Sequence, residues 1–188
     1  MPTHLTMEQL NDGLPMIEAS PKDNGTLKAI VIRPATEKRV SLDSCELSPQ
    51  GGVHGDNWAQ GCWKTLPDGS PHPDVQVTIM NSRAIELISG DVERWPLAGD
   101  QLFADLDLSE TNLPPGTQLR IGDVILEITE IAHNGCKKFA QRFGTDAVKF
   151  VNSPPGKRLH LRGIYAKIVQ AGTVRVGDII QKVDQYSP

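Results

Sequence analysis

Two stretches of the chain, GTQLRIGDVI (Gly116–Ile125) and GTVRVGDII (Gly172–Ile180), follow one pattern: a strand, a Gly-Asp turn and a second strand. Glycine supplies the positive φ that so tight a connection needs. Other segments continue the β theme. TLKAIVIRP reads as a strand stopped by Pro34, and KRVSLDSCEL as a second strand paired with it. VQVTIM is a further strand. In DQLFADLDLS, residues Leu102, Ala104, Leu106 and Leu108 share one face, with Asp105 and Asp107 on an opposite, solvated one. Helical periodicity is confined to short runs. In NSRAIELISG, Ala84, Ile85, Leu87 and Ile88 form a stripe between a Ser82 N-cap and a Gly90 C-cap. TDAVKFVNS gives a turn or two capped by Thr145 and stopped by Pro154 and Pro155. Many short strands, tight turns and few short helices predict a mainly β fold. A closed or nearly closed barrel is expected, with the two Gly-Asp segments turning its corners.

The expected organisation is a polar N-terminal arm (1–26, helical or loose), one barrel domain (27–184) and a short tail (185–188). At 188 residues a single core forms without disulfide or metal staples. The formal net charge of −4 argues against nucleic acid or an acidic membrane surface as partner. No apolar run approaches the ~20 residues that span a bilayer. The first 25 residues lack the basic-then-apolar signature of a signal peptide. Cys45, Cys62 and Cys136 are odd in number and widely spaced, which points away from a secreted disulfide framework and toward a reducing cytoplasm. Phosphate-loop, dinucleotide-binding and serine-hydrolase motifs are absent from the sequence.

The chemistry concentrates in HNGCKKFAQRFG. A thiol acts as nucleophile, sulfur carrier or metal ligand only as the thiolate. Lys137, Lys138 and Arg142 are basic neighbours of Cys136, and a helix over CKKFAQRF would place Cys136 in its first turn, where backbone N–H groups favour an anion. Phe139 and Phe143 then share an inward face. The competing reading is a small apolar residue filling the core. A second constellation, His54, Asp56, Cys62 and His72, lies in the long Gly/Pro-rich segment SPQGGVHGDNWAQGCWKTLPDGSPHPD, but its spacings match no standard zinc pair. Trp58 and Trp63 in that loop either line a pocket mouth or pack the loop down. Cys45 and Cys62 are read as structural.

The chain resembles the MOSC domain, the module at the C-terminus of molybdenum cofactor sulfurases. GCKKFAQRFG resembles the family's cysteine segment, RGIYAKIVQAGTVRVGDII its barrel-closing end, GGVHGD its glycine-rich loop, and VTIMNSRAIELI the strand and helix that follow that loop. The likeness spans roughly residues 27–184 in the family's order. It implies a barrel like that of pyruvate kinase and a functional cysteine, by position Cys136. Members are regarded as sulfur carriers, or bind molybdenum cofactor and reduce N-hydroxylated compounds with the cysteine ligating molybdenum; pyridoxal phosphate is associated with the family only through fused domains. The resemblance thus implies either a Cys136 persulfide for cofactor or metal-sulfur assembly, or molybdenum held by Cys136 in an N-hydroxylated-compound reductase. A non-catalytic binding barrel is the reading from another class. The lead HNG departs from the bulkier or proline-containing lead of the reductases. With no fused ferredoxin or pyridoxal-phosphate domain, a cysteine desulfurase or an electron donor is expected as a separate partner, acting with a small-molecule substrate or cofactor. Molybdopterin carries a phosphate. Arg158, His160 and Arg162, sharing one face of a strand, are candidates to bind it, with Lys157, Arg83 and Lys137 as further cations.

Overall fold

The computed structural model describes residues 4–183, so the expected tail lies outside the described residues. The strands are β1 (Gly25–Ile32), β2 (Val40–Leu42), β3 (Ser44–Ser48), β4 (Gly52–Val53), β5 (Val77–Asn81), β6 (Leu102–Asp105), β7 (Gln118–Ile121), β8 (Val124–Ile128), β9 (Ile164–Gln170), β10 (Gly172–Arg175) and β11 (Ile179–Lys182). Seven of them close a barrel in the order β1-β6-β5-β9-β8-β7-β11, with β11 pairing back onto β1 through Gly25–Ile180 and Thr26–Ile179. All neighbours are antiparallel except β5 and β6. That parallel step needs a crossover, supplied by α4 (Ser82–Ser89) and a 3₁₀ segment over Val92–Ala98.

Two cores follow. Leu27, Ile79, Leu102, Ala104, Leu126, Ala166 and others fill the barrel. A helical layer covers one outer wall, where Met80, Ile85, Trp95, Phe103, Phe139, Phe143 and Phe150 pack. Strand β6 therefore buries both faces: Phe103, opposite the Leu102/Ala104 face, is as hidden as they are. The outward Asp105 is half-buried and ion-paired, not merely solvated. The N-terminal arm forms α1 (Met7–Asp12) and α2 (Leu14–Glu18), which contribute Leu10 and Ile17 to the helical layer. The other helices are α3 (Trp58–Gly61), α5 (Lys137–Phe143), α6 (Thr145–Asn152) and α7 (Pro154–Arg158). Among the described residues no helix is long and apolar enough to cross a membrane.

Local details differ from the sequence reading at the caps. Asn81, not Ser82, caps α4, its side chain accepting from the Ala84 N–H. Gly144 precedes α6, and Ser153 caps α7, so Pro154 and Pro155 both end one helix and start the next. The segment read as one strand, KRVSLDSCEL, divides at Asp43: β2 pairs β1, whereas β3 joins β4 and β10 in a separate three-stranded sheet.

The two Gly-Asp segments diverge in the same way. The first is a simple β7–β8 hairpin. The second carries the chain from β10, in the small sheet, to β11, in the barrel. Each corner is also packed against the other. A β-carbon on Gly122 would meet Asp178 Oδ2 at 2.7 Å and the Thr173 carbonyl at 2.6 Å; one on Gly172 would meet Asp123. Gly122 has φ +56° as well. Gly116, at φ +88°, faces open space. Gly122→Ala is therefore expected to cost about 1–3 kcal/mol and more than Gly116→Ala, because only the former adds a clash to the backbone strain. Urea denaturation of the two variants checks the order.

Candidate functional site

Cys136 is exposed and is the N-cap of α5; its sulfur makes no capping hydrogen bond. It is therefore not the core residue of the competing reading. Phe139 and Phe143 on the same helix are buried, 4.8 Å apart between ring centres, and they fasten α5 to the wall beneath. The loop leading to Cys136 is fastened separately. Asn152 on α6 accepts from the Gly135 N–H at 2.8 Å and donates to the Gly135 carbonyl at 3.0 Å. A β-carbon at Gly135 would meet Val148 and Val151 at 2.8 Å, so the glycine of HNG allows the loop to lie on α6.

Three residues before the thiol, His133 enters a buried polar cluster. Asp100 is fully buried and receives Arg162 Nη1 at 2.6 Å, while Arg162 Nη2 donates to the Ala98 carbonyl at 3.0 Å. The Arg162 guanidinium lies 5.0 Å over the Phe139 ring, linking this pair to the cysteine helix. His133 packs at a tilt against Tyr165 (4.6 Å between centres), which lies 6.4 Å from Trp63. Burial pushes the Asp100 carboxyl up, against the pull of Arg162. Burial, then repulsion from Arg162 and Arg33, holds the His133 imidazole well below the ordinary histidine range. Nearby, Arg33 grips Asp56 through three N–H groups at 2.9 Å.

A cavity of about 440 Å³ adjoins the cysteine loop. His133, Asn134, Lys157, His160 and Arg162 form part of its wall; Glu110 and Glu130 line it too, so its charge is mixed. That volume lies within the usual ~300–1,000 Å³ of small-molecule and cofactor sites. A second cavity of about 590 Å³ lies at the glycine-rich loop, with Glu46, His54 and Asp56 as its titratable lining and no Lys or Arg.

The candidate cations separate on this geometry. Arg158, His160 and Arg162 do not share a strand face: Arg158 ends α7, His160 sits in a turn at φ +50°, and Arg162 precedes β9. Two consecutive prolines start a helix there instead. His160 Nδ1 lies 2.6 Å from the Leu108 carbonyl, to which it donates. Arg158 is exposed and does not line the cavity. Arg83 is held by Asp105 at 2.7 Å and donates to the Met16 carbonyl. Lys137 is exposed beside Cys136.

The His54/Asp56/Cys62/His72 set is dispersed. Asp56 is engaged by Arg33, Cys62 donates to the Lys64 carbonyl, and His72 accepts from Asp74 N–H. Among the described residues no three His, Cys, Asp or Glu side chains are grouped to hold a metal. Trp58 is buried, whereas Trp63 is exposed. Sequence reasoning missed Asp100, His133 and Tyr165. The only signal was that His133 stands in the cysteine motif itself.

A sequence model of the MOSC domain matches residues 69–181. No curated protein matches the chain. Among solved structures, the YuaD protein of Bacillus subtilis superposes with a TM-score of 0.62 at 18% identity, over 84% of this chain and 94% of that one. YiiM from Escherichia coli gives 0.55 at 15% identity, over 87% and 72%. YiiM from Geobacillus stearothermophilus gives 0.54 at 15%, over 86% and 74%. At these identities the likeness is one of fold.

Two outcomes follow from the geometry. Asn152→Ala removes both bonds to Gly135 and is expected to cost about 1–3 kcal/mol, read by urea denaturation. Because folded His133 stays neutral below the ordinary range, its contribution is complete above about pH 6.5 and is lost as pH falls toward its folded value. The stability of the wild type is expected to fall more steeply from pH 7 to pH 5 than that of His133→Gln, by about 1.4 kcal/mol for each pH unit across which only the unfolded ring is protonated.

Proposed function

The chain belongs to the MOSC domain family, and from that premise we propose that it binds molybdenum cofactor, carries sulfur as a Cys136 persulfide, or does both in succession. The observation that carries this reading is an exposed thiol, unengaged by its own helix, on a clamped loop beside a cofactor-sized cavity. The donor set suits the cofactor. A thiolate is a soft ligand for molybdenum. Lys157 on the cavity wall offers a donor to a phosphate, whereas the Nδ1–H of His160 is already taken by the Leu108 carbonyl. Arg162 contributes less freely, since Asp100 and the Ala98 carbonyl already take both of its terminal nitrogens. Arg83 is withdrawn by Asp105, and Arg158 stands away from the cavity.

In the carrier role, the Cys136 thiolate takes the outer sulfur from the persulfide of a separate cysteine desulfurase, whose own thiolate leaves. An acceptor nucleophile then attacks the outer sulfur on Cys136, and the Cys136 thiolate is restored. In the second role, Cys136 would hold the metal of the cofactor. The cofactor, when bound, would supply electrons from a separate donor protein to reduce an N–O bond of an N-hydroxylated small molecule. What this chain's residues do is common to both roles. Asn152 fixes the backbone before the sulfur, and Phe139 and Phe143 fix the helix after it.

Protein purified from a cofactor-competent host, with a desulfurase present, is expected to contain molybdenum and pterin, or an added sulfur on Cys136, by metal analysis and mass spectrometry. Cys136→Ser should fold normally and lose both. Absence of both from the wild type would sink the reading, and an unaltered ligand content in Cys136→Ser would leave the barrel as a binding module.

A further inference from the structure

Asp100 Oδ1, His133 Nδ1 and Arg162 Nε are buried and have no hydrogen-bond partner among the described residues. All three belong to one cluster. His133 Nδ1 lies 3.7 Å from Asp100 Oδ1, about half an ångström beyond a hydrogen bond, while Asp100 Oδ2 is taken by Arg162. Buried polar atoms are normally partnered, so three orphans in one place call for an assignment of the protons.

The groups facing the imidazole are Asp100, Arg162, Arg33 and the Tyr165 ring. Two guanidiniums and burial oppose a second proton on the ring. A neutral imidazole keeps one N–H and one bare nitrogen. A bare Nδ1 would aim its lone pair at the Asp100 carboxylate, which is repulsive; an N–H there is attracted. Because Nδ1 is the nitrogen buried against Asp100 and His133 lines the cavity, Nε2 is the nitrogen left to meet a ligand. A carboxylate that fixes a histidine's tautomer in this way is a recurring arrangement in catalytic sites.

We propose that Asp100, itself held by Arg162, is a positioning residue that keeps the His133 proton on Nδ1, so that Nε2 stands as a fixed hydrogen-bond acceptor for an N–H or O–H group of the ligand in the 440 Å³ cavity. The ligand contact rests on the reading of that cavity as the cofactor or substrate site; the tautomer does not. A ligand matched to this wall would pair a donor group with an anionic one, the donor for His133 and the anion for Lys157.

The test is imidazole ¹⁵N NMR on cofactor-free protein at neutral pH, with His133→Gln to assign the signal. The Nδ1–H form is expected to predominate. Asp100→Asn keeps the shape but its amide can donate to Nδ1, and it is expected to move the ring toward the Nε2–H form. A wild-type ring in the Nε2–H form would overturn the proposal, because the proton would then not be the one held toward Asp100. A folded Asp100→Asn protein with an unchanged tautomer would overturn the positioning role; should that variant not fold, the wild-type spectrum alone decides. In cofactor-loaded protein, His133→Phe is expected to lower pterin content about tenfold, and unchanged content would overturn the ligand contact. Failure of cofactor binding itself would show as pterin-free wild type, separate from the tautomer result.

Discussion

Closure of β11 onto β1 is the constraint from which the rest of the molecule follows. A closed sheet has no free edge within the ring, and its interior excludes water. Polar side chains buried at the ends of its strands must then find partners within the protein or remain costly. Gln101 and Thr78 bond one another, Arg33 and Asp56 bond twice over, and Arg162 and Asp100 share a fully buried carboxylate. Removing Arg33 or Arg162 would leave a fully buried carboxylate, Asp56 or Asp100, without its cation.

The helical layer converts that rigid wall into a site. Strands β5 and β6 hide both faces, which gives α4, α5 and α6 an apolar surface on which to lie. Phe139 packs against both Arg162 and Phe143, so the helix that follows Cys136 is tied to the buried ion pair through an aromatic contact. The thiol is thus exposed on a support that is not. A carrier or a metal ligand needs both properties: access for a partner, and a fixed direction of approach.

The sequence made the barrel legible because alternation and glycine turns report local geometry. Cys136 was legible because its motif is contiguous. The polar cluster was not: Asp100, His133, Tyr165 and Arg162 are scattered over some sixty residues and meet only when the sheet closes. Arg158, His160 and Arg162 were misjudged as a strand face because two prolines in the same stretch open a short helix when a serine caps it. Phe103 was overlooked because the Leu102/Ala104 alternation accounts for one buried face and gives no hint that a second layer covers the other.

The paired corners carry one more consequence. Because Gly122 is pressed by Asp178, and Gly172 by Asp123, the two Gly-Asp segments are a mutual lock between strands β7–β8 and β10–β11. Neither turn is free to lengthen or change residue alone. In the history of this barrel, substitutions at the two corners should travel together, and an insertion in one would have to be answered in the other, fifty residues along the chain.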